Sequence, residues 1–191
     1  MIKIRIHGRG RQGAKTATEL LPAVVFSEEK FSHVQGAMKF GPERGGAPVA
    51  GFVRISDKKI RERGEFFDPD MVIVLDETLI EIINIADGLK PGSVILINSK
   101  KPEEHFANLR GFRLVLINAD GIALSCGLGT AQRPIVSTAM VAAFLKVSAL
   151  AGIETLVRFI DEKGFKEKEK NKKIATEAYN FIRISPSEPR P

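Results

Sequence analysis

The sequence predicts an α/β fold: a mostly parallel sheet with helices on both faces, plus additional C-terminal helices. Three observations carry that expectation. Residues 71–75 and 93–97 are short apolar runs, the pattern of strands buried on both faces of a parallel sheet. Strand-like runs alternate with helix-patterned stretches, as crossover connections require. The first strand-like run leads straight into a glycine-rich loop and then a helix.

Ile2, Ile4 and Ile6 alternate with Lys3 and Arg5, which predicts a strand over 2–6 with one apolar face. Ala17, Leu20, Leu21, Val24 and Val25 form the stripe of a helix over 14–30, with Pro22 removing one hydrogen bond. Residues 36–48 hold four Gly and two Pro and read as a loop. A strand over 49–55, a turn over 56–59 and a short strand at Ile60 come next. The second half reads as strand 71–75, helix 78–86, strands 93–97 and 113–117, and a short helix over 120–126. Residues 135–150 are apolar on nearly every side, with Lys146 the one charge. That predicts a helix covered by its own domain or by a partner subunit. Amphipathic helices over 153–163 and 168–182 complete a single domain spanning 1–182, followed by an extended tail over 183–191.

Composition narrows the function classes. The chain has 191 residues, a formal net charge of +6 and one cysteine, Cys126. A single thiol forms no internal disulfide and no multi-thiolate cluster, and His7, His33 and His105 are too scattered for a zinc site. No apolar run reaches the length of a membrane span, and the alternating N-terminus is unlike a signal peptide, so a cytoplasmic protein without a membrane partner is expected. The positive charge suits a polyanion. Lysines over 163–173 interleave with Glu167 and Glu169, as on a solvated helix face, and no paired-aromatic RNA signature is present. Nucleic acid is therefore the weakest of the possible partners.

Gly8-Arg9-Gly10-Arg11-Gln12-Gly13 fits G-x-G-x-x-G in the strand-to-helix context where such loops meet phosphates. A dinucleotide site also needs an acid at the end of the second strand, and residues 30–36 contain none. The glycines could serve close strand–helix packing, an anionic group, or a neighbouring subunit. A second irregular stretch, residues 40–48, places Glu43 and Arg44 on a Gly/Pro-fixed loop, either as an exposed ion pair or facing a partner or cofactor. No catalytic constellation stands out. Cys126 reads as a small buried hydrophobe, and His7, beside the glycine loop, as a structural hydrogen-bonder.

The two loops together carry a resemblance. His7 to Ala14 and Phe40 to Val49 resemble the gamma subunit of 2-oxoacid:ferredoxin oxidoreductases, pyruvate type, and the stretches at 69–79 and 133–140 extend the likeness over roughly 1–182. Arg11 stands where the family usually has Gly, Gly45 where it usually has a second Arg, and Ser137 where it commonly has Asn. The resemblance implies a division of labour. Sister alpha, beta and delta subunits would hold thiamine diphosphate with magnesium and the [4Fe–4S] clusters, and ferredoxin would take the electrons. The acyl group of the decarboxylated 2-oxoacid would pass to coenzyme A. This chain would bind neither thiamine nor iron and would help form the coenzyme A side through Gly8, Arg9, Gly10, Arg11, Gln12, Gly13, Glu43 and Arg44. The rival reading is a free-standing nucleotide- or anion-binding α/β module.

Overall fold

The computed structural model describes residues 1–39 and 46–183. Its centre is a six-stranded sheet of order β2-β3-β1-β4-β5-β6. Strands β1 (Ile2–Arg9), β4 (Met71–Val74), β5 (Val94–Asn98) and β6 (Arg113–Ile117) pair in parallel. Strand β3 (Pro48–Ser56) is antiparallel to β1, and β2 (His33–Lys39) is antiparallel to β3. Five of the six strands therefore point the same way, as the apolar runs predict.

Side-chain alternation sorts the core into two layers. Ile4 and Ile6 share a face with Met71, Ile73, Val94 and Leu96, against α1 (Ala14–Phe26), α2 (Ala119–Ser125) and α3 (Ser137–Ser148). Helices α4 (Ile153–Glu162) and α5 (Lys168–Phe181) join the same layer. Val72, Val74, Ile95 and Ile97 face the other way, under two 3-10 segments, Glu77–Glu81 and Glu103–Leu109. Helical segments thus cover both faces unevenly: α-helices on one, 3-10 turns on the other. Helix α3 is covered by its own domain, and its charged Lys146 lies with Nζ 4.7 Å from the Tyr179 ring centroid.

Several boundaries differ from expectation, each for a physical reason. Residues 36–39 belong to strand β2; it is an edge strand, so it tolerates the Gly and polar residues that read as loop. No strand forms at Ile60. The buried Arg54 donates to the carbonyls of Gly64 (2.9 Å) and Glu65 (3.2 Å), which holds this stretch extended against the sheet without a ladder. The helix expected over 78–86 is only the 3-10 turn Glu77–Glu81. Arg5, also buried, takes the carbonyls of Ile85 (3.0 Å) and Asp87 (2.7 Å), so they are unavailable to a continuing helix. Helix α1 stops at Phe26, before the expected Lys30. A short ribbon of β7 (Gly129–Thr130) and β8 (Arg133–Pro134) had no signal in the sequence. Residues 40–45 and the tail beyond 183 lie outside the described residues.

Glu28, just past α1, reaches across the chain to cap α4. Its Oε1 accepts from the backbone N–H of Gly152 at 3.0 Å. Hydrogen bonds from the Thr155 side chain and from Gly152 hold the carboxyl below its usual range. Glu28→Ala is expected to cost about 1 kcal/mol, the usual loss of an N-cap partner, read as a lower urea midpoint with unchanged m-value.

Candidate functional site at the carboxyl ends of the parallel strands

After β1 the chain crosses to β2 and β3 on one side, then returns to β4 on the other. This makes the carboxyl ends of β1 and β4 a topological switch point, where open α/β sheets form clefts. A cleft of about 490 Å³ lies there. One wall is polar, built from Gln12, Asp76, Thr78, Asn98, Ser99 and Asp120; the other contains Leu124, Pro134 and Val136. Each polar residue except Gln12 ends a parallel strand, as Asn98 does, or follows one within a few positions.

The glycine loop borders this cleft. A Cβ on Gly8 would lie 3.0 Å from Cβ of Ala14, so its absence lets β1 and α1 close up. Gly13 has φ +90°, and a Cβ there would lie 2.9 Å from Cβ of Ser137. Packing therefore accounts for these two glycines. The loop is also internally bonded: Arg9 N–H donates to Gln12 Oε1 (3.0 Å), Gln12 N–H to Arg9 O (3.1 Å), and Gly10 N–H to Ala47 O (3.0 Å). Those three amides are engaged and do not form an open phosphate cradle. Arg11 is exposed with φ +75°, a left-handed conformation that glycine adopts without steric cost and other residues rarely do.

Arg9, half-buried, is fully engaged within the protein. Its Nε meets Asp76 Oδ2 at 3.1 Å, Nη1 meets Gly46 O at 3.1 Å, and Nη2 meets Thr78 Oγ1 at 2.7 Å. Asp76 accepts further from Gln12 Nε2 (2.8 Å), Thr78 N–H (3.0 Å) and Thr78 Oγ1 (2.6 Å). Burial works to raise the Asp76 pKa, but the bonds from Thr78 and Gln12 and the nearby Arg9 charge outweigh it, leaving it below the usual range. The next loop is tied similarly: Ser99 Oγ donates to Glu77, which also pairs with Lys101 Nζ at 3.0 Å. Asn98 bridges Leu75 O (3.0 Å) and Asp120 Oδ1 (2.9 Å), joining the ends of β4 and β6.

Beneath the loop, His7 is buried, and its Nε2 accepts from Arg5 Nε at 3.0 Å. Burial, then the Arg5 charge, pushes its pKa down to about 4. Cys126 is buried with Sγ 3.5 Å from Glu177 Oε2, and burial raises its thiol pKa.

The structure thus brings Gly8 to Gly13 together with Gly46 and Ala47, the end of the second loop, while Glu43 and Arg44 lie outside the described residues. Arg9 of that loop is paired with Asp76. Asp76, Thr78, Asn98, Ser99 and Asp120 were not singled out from the sequence. Their signal is polar residues immediately after buried apolar strands, at the end where open α/β sheets bind ligands.

Fold and cleft define an open α/β protein of doubly wound type with a polar, ligand-sized cleft at its switch point. The chain belongs to the pyruvate ferredoxin/flavodoxin oxidoreductase family, whose model matches residues 3–181. It is 46% identical over 182 residues to pyruvate synthase subunit PorC of Methanocaldococcus jannaschii, covering 94% of this chain and 96% of that protein. It is 41% identical over 184 residues to the pyruvate/ketoisovalerate oxidoreductases common subunit gamma of Thermococcus kodakarensis, at 94% and 96% coverage. The crystal structure of pyruvate oxidoreductase subunit PORC from Thermotoga maritima superposes with a TM-score of 0.77 at 31% identity, covering 94% of this chain and 95% of that one. The resemblance carried by the loop motifs is therefore to its own family.

Proposed function

We propose that this chain is the gamma subunit that builds the coenzyme A side of a 2-oxoacid:ferredoxin oxidoreductase. Its partners in that reading are alpha, beta and delta subunits, which hold thiamine diphosphate, magnesium and [4Fe–4S] clusters and deliver electrons to ferredoxin. The full-length match to oxidoreductase subunits favours this over a free-standing binding module. Cys126, alone and buried beside Glu177, does not fit an iron–sulfur cluster. Among the described residues no helix is long and apolar enough to cross a membrane.

One observation carries the coenzyme A assignment. Helices α1 and α3 start side by side at the cleft, Gly13 against Ser137, and neither has a side-chain N-cap or an acid in its first turn. Their first-turn N–H groups and dipoles favour an anion. Exposed Arg11 and Lys15 stand at the same end. Coenzyme A brings phosphates to such a place, and its uncharged parts suit the apolar wall of Leu124, Pro134 and Val136. We assign Glu43 and Arg44 to the same ligand.

Arg11→Gly separates the two roles of that position. Relief of the left-handed backbone is expected to stabilise the fold by about 1 kcal/mol. Loss of the charge-assisted contact, about 1.5–3 kcal/mol, is expected to raise the KM for coenzyme A roughly tenfold or more. Arg44→Ala is expected to raise the same KM or weaken subunit association. Steady-state kinetics of the assembled complex, with a melt of each variant, make the check. An unchanged coenzyme A KM and unchanged association in both variants would return the loops to a packing role.

A further inference from the structure

We infer that Asp76 is the positioning residue of this site: its ionised carboxylate fixes the glycine loop in the form that meets the anionic ligand. The inference rests on the coenzyme A reading above and deepens it. Two loops meet at this one side chain, and a third is tied to it through Arg9. From the glycine loop come Arg9 Nε (3.1 Å) and Gln12 Nε2 (2.8 Å), and from its own loop come the N–H (3.0 Å) and hydroxyl (2.6 Å) of Thr78. The third loop is reached through Arg9, whose Nη1 holds Gly46 O at 3.1 Å.

The chemistry of the arrangement is directional. Asp76 Oδ2 faces two donors, Arg9 and Gln12, so only an unprotonated oxygen satisfies both. Thr78 Oγ1 closes a ring, donating to Asp76 and accepting from Arg9 Nη2 at 2.7 Å. Gln12 Oε1 in turn holds the Arg9 N–H at 3.0 Å, and Arg9 O holds the Gln12 N–H at 3.1 Å. The backbone between them, which includes Arg11 at φ +75°, is thereby set from both ends. Arg9 is occupied by this ring, so its task is to carry the order imposed by Asp76 across to Gly46, while Arg11 stays exposed for the ligand. The side-chain exposure of Asp76, 15%, against 27% for Arg9, places the carboxylate deeper than the cation it holds.

Asp76→Asn tests this in the assembled complex, because an amide nitrogen at Oδ2 would face two donors. Three readings are taken: KM for coenzyme A against kcat, equilibrium binding of coenzyme A by calorimetry without oxoacid, and hydrogen exchange at the amides of 9–13. The expected result is a rise of about tenfold in both KM and Kd for coenzyme A, with faster exchange in the loop. The KM for the oxoacid and the subunit stoichiometry stay as in the parent. Unchanged coenzyme A binding in Asp76→Asn, while Arg11→Gly still weakens it, would overturn the positioning role and leave the coenzyme A reading standing. If neither variant alters coenzyme A binding, the reading itself fails. Should Asp76→Asn not assemble, Thr78→Val, which opens the ring, is expected to raise the coenzyme A Kd about threefold, with Thr78→Ser restoring it. No change in Thr78→Val would overturn the inference equally.

Discussion

Gly36→Ala is expected to destabilise the fold by about 3 kcal/mol, the upper end of overpacking costs, and to lower Tm by about 6–12 °C. Gly36 sits in the edge strand β2 under helix α1, and a Cβ there would run into the carbonyl oxygen of Thr18. That oxygen belongs to helical backbone, so it cannot move without shifting the helix. Gly51 in β3 faces the same residue, but its Cβ would meet the Thr18 hydroxyl, a side-chain atom bonded to Ala14 O at 2.8 Å. The two positions are separated by a second substitution. Thr18→Ala removes the hydroxyl and should restore most of the stability of Gly51→Ala. It leaves the backbone oxygen in place and should not rescue Gly36→Ala. Equal rescue of both by Thr18→Ala in thermal melts would show that the helix approaches the sheet less closely than the structure has it.

Acidification should remove about 3 kcal/mol of stability through His7 alone. In the unfolded chain an imidazole titrates near 6.5, whereas buried His7 beside Arg5 titrates at about 4. The unfolded state therefore binds the extra proton first, and stability rises with pH across that window. The contribution is fully present above about pH 6.5 and is lost as pH falls through 4. His7→Gln keeps an acceptor for Arg5 Nε and removes the titration. Urea midpoints between pH 7 and 4 should fall less steeply in His7→Gln than in the parent. Parallel pH dependences in the two proteins would sink this assignment. His7 also shows why the sequence could name the residue without its state: its place beside the loop is local, while its burial depends on the distant segment holding Arg5.

Legibility followed the range of the interactions. The parallel strands were readable because burial on both faces leaves near-continuous apolar runs such as Val72 to Val74. Helix α3 was readable because only one of its side chains is charged, although whether its own domain covered it was not. Strand β2 was not readable, because an edge strand with Gly36 beneath a helix has the composition of a loop. In the site, the glycine motif announced itself by spacing, but the partner of its first arginine did not. Arg9 finds its partner Asp76 across a chain separation that no local pattern records. Asp76 itself looked like the polar end of a strand, and only the bonds that tie the glycine loop to its own loop, and through Arg9 to Gly46, give it a role.

Arg5 and Arg54 lie buried under the less helical face, each gripping two backbone carbonyls of an irregular segment. A carbonyl is the same whichever amino acid bears it. The course of these segments is thus set partly by two side chains elsewhere, so it depends less on the residues that bear the gripped carbonyls, buried Ile85 apart. That face keeps its relief while its chemistry is rewritten. Substitutions at exposed positions of these segments should therefore leave unmoved the scaffold that holds the cleft.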